Sequence, residues 1–95
     1  MGSIELEQFS LRDGVGREAF CELDSALQAW SYVHREGLRR RTTAFGEGRD
    51  VLVVSVFSGW EPPPRPTADD DGPVAAFVGA IEASTYRRAV YADRG

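Results

Sequence analysis

Apolar positions along this chain recur first at a spacing of two, then at three and four, then at two again. Each change of period marks an element. From Ile4 to Leu11 the chain alternates, with Ile4, Leu6 and Gln8 pointing one way and Glu5, Glu7, Phe9 and Leu11 the other. That is strand patterning, and Asp13-Gly14 ends it with turn chemistry. From about Gly16 to His34 the residues Phe20, Leu23, Leu27, Trp30 and His34 fall on one face of a predicted helix. Ala19, Ala26 and Val33 widen the stripe, whereas Arg17, Glu18, Glu22, Asp24, Gln28 and Arg35 lie largely outside it. Gly37 supplies the stop.

Leu38 to Trp60 reads as a β-hairpin. Its first arm, Leu38 to Phe45, mixes Arg and Thr with apolar residues, Gly46-Glu47-Gly48 makes the turn, and Asp50 to Phe57 is apolar almost throughout. An apolar run suits a central strand covered on both faces. An Arg-rich arm suits an edge, where charge discourages pairing with another chain. Beyond Trp60-Glu61, four prolines among residues 62–66 allow neither helix nor ladder. Residues 61–72 are therefore expected to form a mobile, Pro- and Asp-rich loop.

Pro73 suits a first helical position, and Asp69 to Asp71 place negative charge at the positive end of the helix dipole. Val74, Phe77, Val78 and Ile81 supply the apolar face. The predicted helix ends near Ala83-Ser84, with Gly79 admitting close packing against a sheet. Tyr86 to Tyr91 alternates as a last strand, with Tyr86, Arg88 and Val90 opposed to Arg87, Ala89 and Tyr91.

The order is βαββαβ in one domain, residues 1–95. It predicts an α+β, ferredoxin-like fold: a four-stranded antiparallel sheet with two helices on one face and the first and third strands central. The uncovered face carries either Leu52, Val54 and Val56 or Val51, Val53 and Phe57. At roughly 25 cal/mol per Å², about 300 Å² of exposed apolar surface leaves several kcal/mol unused, comparable to the stability of a small domain. Two sheets packed face to face remove the problem, so a homodimer is expected.

Composition narrows the chemistry. The chain has 95 residues, a net charge of −4, no Lys and no Asn. Lysine Schiff-base chemistry is excluded, and an acidic chain is a poor partner for nucleic acid. An RNA-binding ferredoxin-like sheet would also need aromatics on its central strands, and Arg49-Asp50-Val51-Leu52-Val53-Val54 has none. The single Cys21 suits a reducing compartment and has no His, Cys or acidic partner at ligand spacing, so no metal site is expected. Without an apolar leader or a membrane-length run, the expectation is a soluble cytoplasmic protein.

The Gly37-Leu38 entry into the second strand, the apolar third strand ending in Trp60-Glu61, and the Ala-rich second helix carry a resemblance over nearly the whole chain. The chain resembles the dimeric α+β barrel superfamily, and within it the small antibiotic-biosynthesis-monooxygenase-like proteins. Leu11-Arg12-Asp13-Gly14-Val15, Arg40-Arg41-Thr42-Thr43-Ala44 and Val53-Val54 look like a group of these barrels without assigned function. The resemblance implies a homodimer and, among the superfamily's activities, cofactor-free oxygenation of aromatic polyketides, haem degradation or polyketide cyclisation. The haem-degrading branch uses an Asn, a Trp and a His on the second helix. Here Trp60 matches the Trp by position, but there is no Asn, and the only histidine, His34, is on the first helix. The best-known cofactor-free oxygenases also pair an Asn with a Trp. No cofactor is expected.

The candidate ligand-binding residues are Trp60, Trp30 and His34; the candidate catalytic residues are His34, Trp60 and Tyr32. Trp60 offers a flat wall and one N–H donor, or else serves as a core or interface tryptophan. His34 is the candidate general base, because histidine is the side-chain type whose unperturbed pKa lies near neutrality, or else it packs by its ring at the helix end. Arg39, Arg40 and Arg41 point alternately to two faces and read as edge-strand protection. Tyr86, Arg88 and Tyr91 read as interface or surface residues. Glu5 and Glu7 share a face beside Phe9 and read as a solvated strand end. Two functions follow: a homodimer that binds or converts a small aromatic or polyketide-like ligand between sheet and helices, as a cofactor-independent monooxygenase or cyclase would, or a non-catalytic homodimeric binding or accessory module.

Overall fold

In the computed structural model, which describes residues 1–67 and 72–95, the alternating stretches become four strands: β1 (Gly2–Ser10), β2 (Leu38–Phe45), β3 (Asp50–Phe57) and β4 (Arg87–Asp93). The periodic stretches become the helices α1 (Arg17–His34) and α2 (Gly72–Gly79). The sheet order is β2-β3-β1-β4, and every neighbouring pair is antiparallel. This is the ferredoxin-like βαββαβ fold, with β1 and β3 central and the Arg-rich β2 at an edge. No helix among the described residues is long and apolar enough to cross a membrane.

Register decides which residues face the helices. Opposed residues of antiparallel strands share a face, so the pairs Glu5–Ser55, Glu7–Val53 and Phe9–Val51 all point one way. That face carries buried Val51, Val53 and Phe57. Leu52, Val54 and Val56 therefore lie on the open face, beside Ile4 and Leu6, and all five are half-buried. The sequence left two choices for the open face, and the register selects one.

At one end of the sheet–helix layer the core is aromatic. Phe9 meets Phe20 and Phe77 edge-on at centroid distances of 5.9 and 5.7 Å, and Tyr86 stacks on it at 6.4 Å. Such pairs add to the burial of their area. Along α1 the buried line is Phe20, Leu27 and Ser31, and one further step of four brings Arg35 inside. The expected stripe needs correction here. Val33, Ala19 and Ala26 are exposed, because the helix presents the 27–31–35 row to the sheet and carries the 30–34 row on its shoulder. Arg35 belongs inside for the same reason.

At Gly37, φ is +81°, a region that favours glycine. The tight exit it permits lets the Ser58 amide bond to its carbonyl oxygen at 2.9 Å, tying the start of β2 to the end of β3.

The second helix is shorter than the periodicity suggests. After Gly79 the Ala80 and Ile81 amides bond three residues back, and Ile81 then pairs as a bridge with Leu11. Hydrogen bonds of 2.8 Å from Arg12 to Ala80 and 2.9 Å from Glu82 to Ser10 fix the extended exit. Pairing with the end of β1 thus outcompetes helix propagation, and only a 3₁₀ turn, Ala83–Thr85, remains where more α-helix was expected. Gly79 does not pack closely on the sheet either: a Cβ there would meet nothing within 4 Å. The expected dipole role of Asp69 to Asp71 falls outside the described residues.

Candidate functional site

Opposite the aromatic end, the same layer between sheet and helices is ionic. Alternation that buries Phe9 also turns Glu7 and Glu5 inward. Glu5 is 0% exposed. Its carboxylate accepts from Arg35 Nη1 at 2.8 Å and Nη2 at 3.2 Å, and from Arg88 Nε at 2.8 Å and Nη2 at 2.7 Å. Arg35 is 8% exposed. Its guanidinium lies 4.9 Å from the Phe57 ring centroid and also donates to the Pro63 carbonyl at 3.0 Å. Ser55, the partner of Glu5 on β3, is small enough to leave room for that head group.

One position along, Glu7 Oε2 accepts from the Tyr86 hydroxyl at 2.5 Å and lies 3.7 Å from Arg65 Nε. The Arg65 guanidinium sits 4.0 Å over the Tyr86 ring. Arg41 extends the cluster from β2. It donates to Asp24 Oδ1 at 2.8 Å and lies 5.7 Å from the Phe77 ring centroid. Glu7, Ser31, Arg35, Arg41, Arg65 and Phe77 are among the walls of a cavity of about 30 Å³, enough for about one water molecule.

The two carboxyls differ in electrostatics. Burial by itself would raise the Glu5 pKa, but hydrogen bonds and charge from Arg35, then from Arg88, hold it below the ordinary value. For Glu7, burial dominates and raises the pKa; the Tyr86 hydrogen bond opposes this and the Glu5 charge adds to it. Tyr86 is itself pushed up, by burial and then by the charge and hydrogen bond of Glu7. Tyr86 is therefore a protonated donor at neutral pH. Glu7 is thus held less acidic than an ordinary carboxyl, beside a Glu5 whose ionised form Arg35 and Arg88 favour.

The residues expected to form the site are placed elsewhere. Trp60 is 56% exposed, in the bend after β3. Tyr32 is 47% exposed, and its hydroxyl accepts the Arg41 backbone amide at 3.0 Å. Trp30 and His34 come together: their rings stack with centroids 4.6 Å apart, and His34 Nδ1 lies 2.9 Å from the Trp30 carbonyl oxygen. None of the four lines the ionic cavity. Tyr86 and Arg88, read as interface or surface residues, belong to the cluster, and so does Arg41. Glu5 and Glu7 are not a solvated end. Their shared parity with Phe9 and Leu11 was the available signal, as was the continuation of Leu27 and Ser31 to Arg35.

Cys21 is exposed, and no group of His, Cys, Asp or Glu among the described residues is placed to hold a metal ion. No known family model, curated protein or solved structure matches the chain.

Proposed function

We propose that the chain is a homodimeric α+β barrel protein of the antibiotic-biosynthesis-monooxygenase-like kind. In this reading it takes a small aromatic or polyketide-like ligand between sheet and helices and moves a proton on it without a cofactor. The observation that carries this reading is Glu7, a carboxyl with a raised pKa in the wall of the sheet–helix cavity, hydrogen-bonded to Tyr86 and faced by Arg65. Cofactor-independent oxygenation and cyclisation of such compounds both begin by removing a proton to give an enolate or phenolate. Glu7 acts as the base. The guanidinium groups stabilise the developing oxyanion. Trp60, Trp30, His34 and Tyr32 lie outside the reacting centre.

The test is exchange of the α-protons of 2-tetralone into deuterium oxide, followed by NMR. The chain should accelerate exchange, and Glu7→Gln should reduce that acceleration by about 10²–10⁴-fold while the fold is retained. Exchange no faster than in buffer would sink the catalytic reading.

One observation favours the second reading, a non-catalytic homodimeric accessory module: the cavity of about 30 Å³ is nearly filled by side chains. Under that reading the ionic cluster is a polar core, and Glu7→Gln changes stability alone.

A further inference from the structure

Among the described residues, the charge in the sheet–helix cleft does not balance. Arg35, Arg41, Arg65 and Arg88 bring four guanidinium groups to ion pairs with three carboxylates, Glu5, Glu7 and Asp24. This local excess of positive charge occurs in a chain whose net charge is −4. The weakest of these contacts is Arg65 with Glu7, at 3.7 Å, and the Arg65 side chain is 39% exposed. A second imbalance is buried. Arg35, more than nine-tenths buried and in the cavity wall, has no acceptor for its Nε–H among the described residues. Leaving a buried donor unpaired costs about 1–3 kcal/mol, more on a charged group. Such a group is explained when something outside the chain supplies the acceptor.

We infer that the cleft takes a small apolar carboxylate, its oxygens accepting from Arg35 and Arg65 and its hydrocarbon part lying on Leu27, Val74, Phe77 and Val78. This deepens the proposed function and rests on the cleft being a ligand site. Room comes from Arg65. It is a wall of the small cavity and also of a neighbouring groove of about 210 Å³ lined by Val78, Ile81, Ala83 and Tyr86. Lifting the guanidinium off the Tyr86 ring joins the two spaces. An enclosed cavity of about 150 Å³ already accommodates benzene, so one ring bearing a carboxylate fits. The carboxylate replaces Glu7 as the partner of Arg65, and Glu7 keeps its bond from Tyr86. A guanidinium is suited to this task because its planar fork matches two carboxylate oxygens.

The experiment is a titration of the full chain with benzoate, benzamide and inorganic phosphate, following backbone amide signals by NMR. Benzoate should shift the amides of Glu7, Arg35, Arg65 and Val78 in a saturable way, and benzamide and phosphate should each bind at least tenfold more weakly. Arg65→Gln, at a half-exposed position that leaves the Glu5–Arg35 pair intact, should weaken benzoate at least fivefold and leave benzamide within twofold. Benzamide binding at these residues as well as benzoate would overturn the carboxylate and leave the cleft standing as a ligand site. Phosphate binding as well as benzoate would overturn the apolar half. If none of the three shifts the cleft residues, the inference fails together with the reading of the cleft as a ligand site.

Discussion

Glu5 and Glu7 sit two residues apart on one strand, yet the structure gives them opposite dependence on pH. Glu5, fully buried and held by Arg35 and Arg88, is the more consequential to remove. Glu5→Gln leaves two guanidinium groups facing each other without their anion, and breaking a buried pair from one side costs about 3–5 kcal/mol. Urea denaturation should show that loss; a change within experimental error would mean the cluster is solvated. For pH, the signs follow from the shifts. The Glu5 pKa is lowered in the folded chain, so its contribution is complete above the ordinary value of 4.5 and is lost as pH falls through the folded value. The Glu7 pKa is raised, so the folded chain favours the protonated form. Its contribution is complete below 4.5 and is lost as pH rises through the raised value. Glu7→Gln retains an acceptor for Tyr86 and removes that loss. The stability of Glu7→Gln relative to the parent should therefore grow as pH is raised from 4.5. A pH-independent difference in urea midpoints would show that Glu7 does not change protonation in this range.

At the level of elements, the limits β2 (Leu38–Phe45) and β3 (Asp50–Phe57) are those the residue pattern predicts, and α1 ends at His34 as expected. Where apolar periodicity and breaker residues agree, the sequence is sufficient. It failed where tertiary pairing overrides local preference. Val74, Phe77, Val78 and Ile81 form a faultless helical face, but Ile81 is claimed by Leu11, a partner seventy positions away in sequence. It failed again where charge is buried. Nothing in the residue types Glu5, Glu7 and Arg35 says that they meet, because their contact depends on the α1 row that faces the sheet. Parity with Phe9 marked the face; it could not supply the partner. Gly79 offers a direct test of the revised second helix. Since a Cβ there meets nothing within 4 Å and φ is not positive, Gly79→Ala should stabilise the chain by about 0.5–1 kcal/mol. A shift of the urea midpoint to higher concentration would confirm it, and a loss would mean that Gly79 is packed after all.

For the whole molecule, the open sheet face decides the proposed assembly. The helices cover Val51, Val53 and Phe57, which leaves Ile4, Leu6, Leu52, Val54 and Val56 as a continuous apolar surface across the two central strands. Four strands spaced about 4.8 Å apart and about eight residues long give a flat footprint of roughly 500 Å². Side-chain relief brings the accessible area towards the roughly 800 Å² that each partner contributes to a standard interface. Val54 lies at the centre, between Leu6 on β1 and Thr42 on β2, so a charge there is desolvated in a dimer and hydrated in a monomer. The parent chain should sediment at twice its 10.4 kDa mass at micromolar concentration, with a Tm that rises with protein concentration, because association stabilises the folded form by mass action. Val54→Glu should sediment as a monomer with a concentration-independent Tm. Its far-UV circular dichroism should be retained, since the helix-facing core is untouched. A parent chain that already sediments at 10.4 kDa, with a Tm indifferent to concentration, would sink the homodimer while leaving the sheet–helix cluster and its chemistry in place.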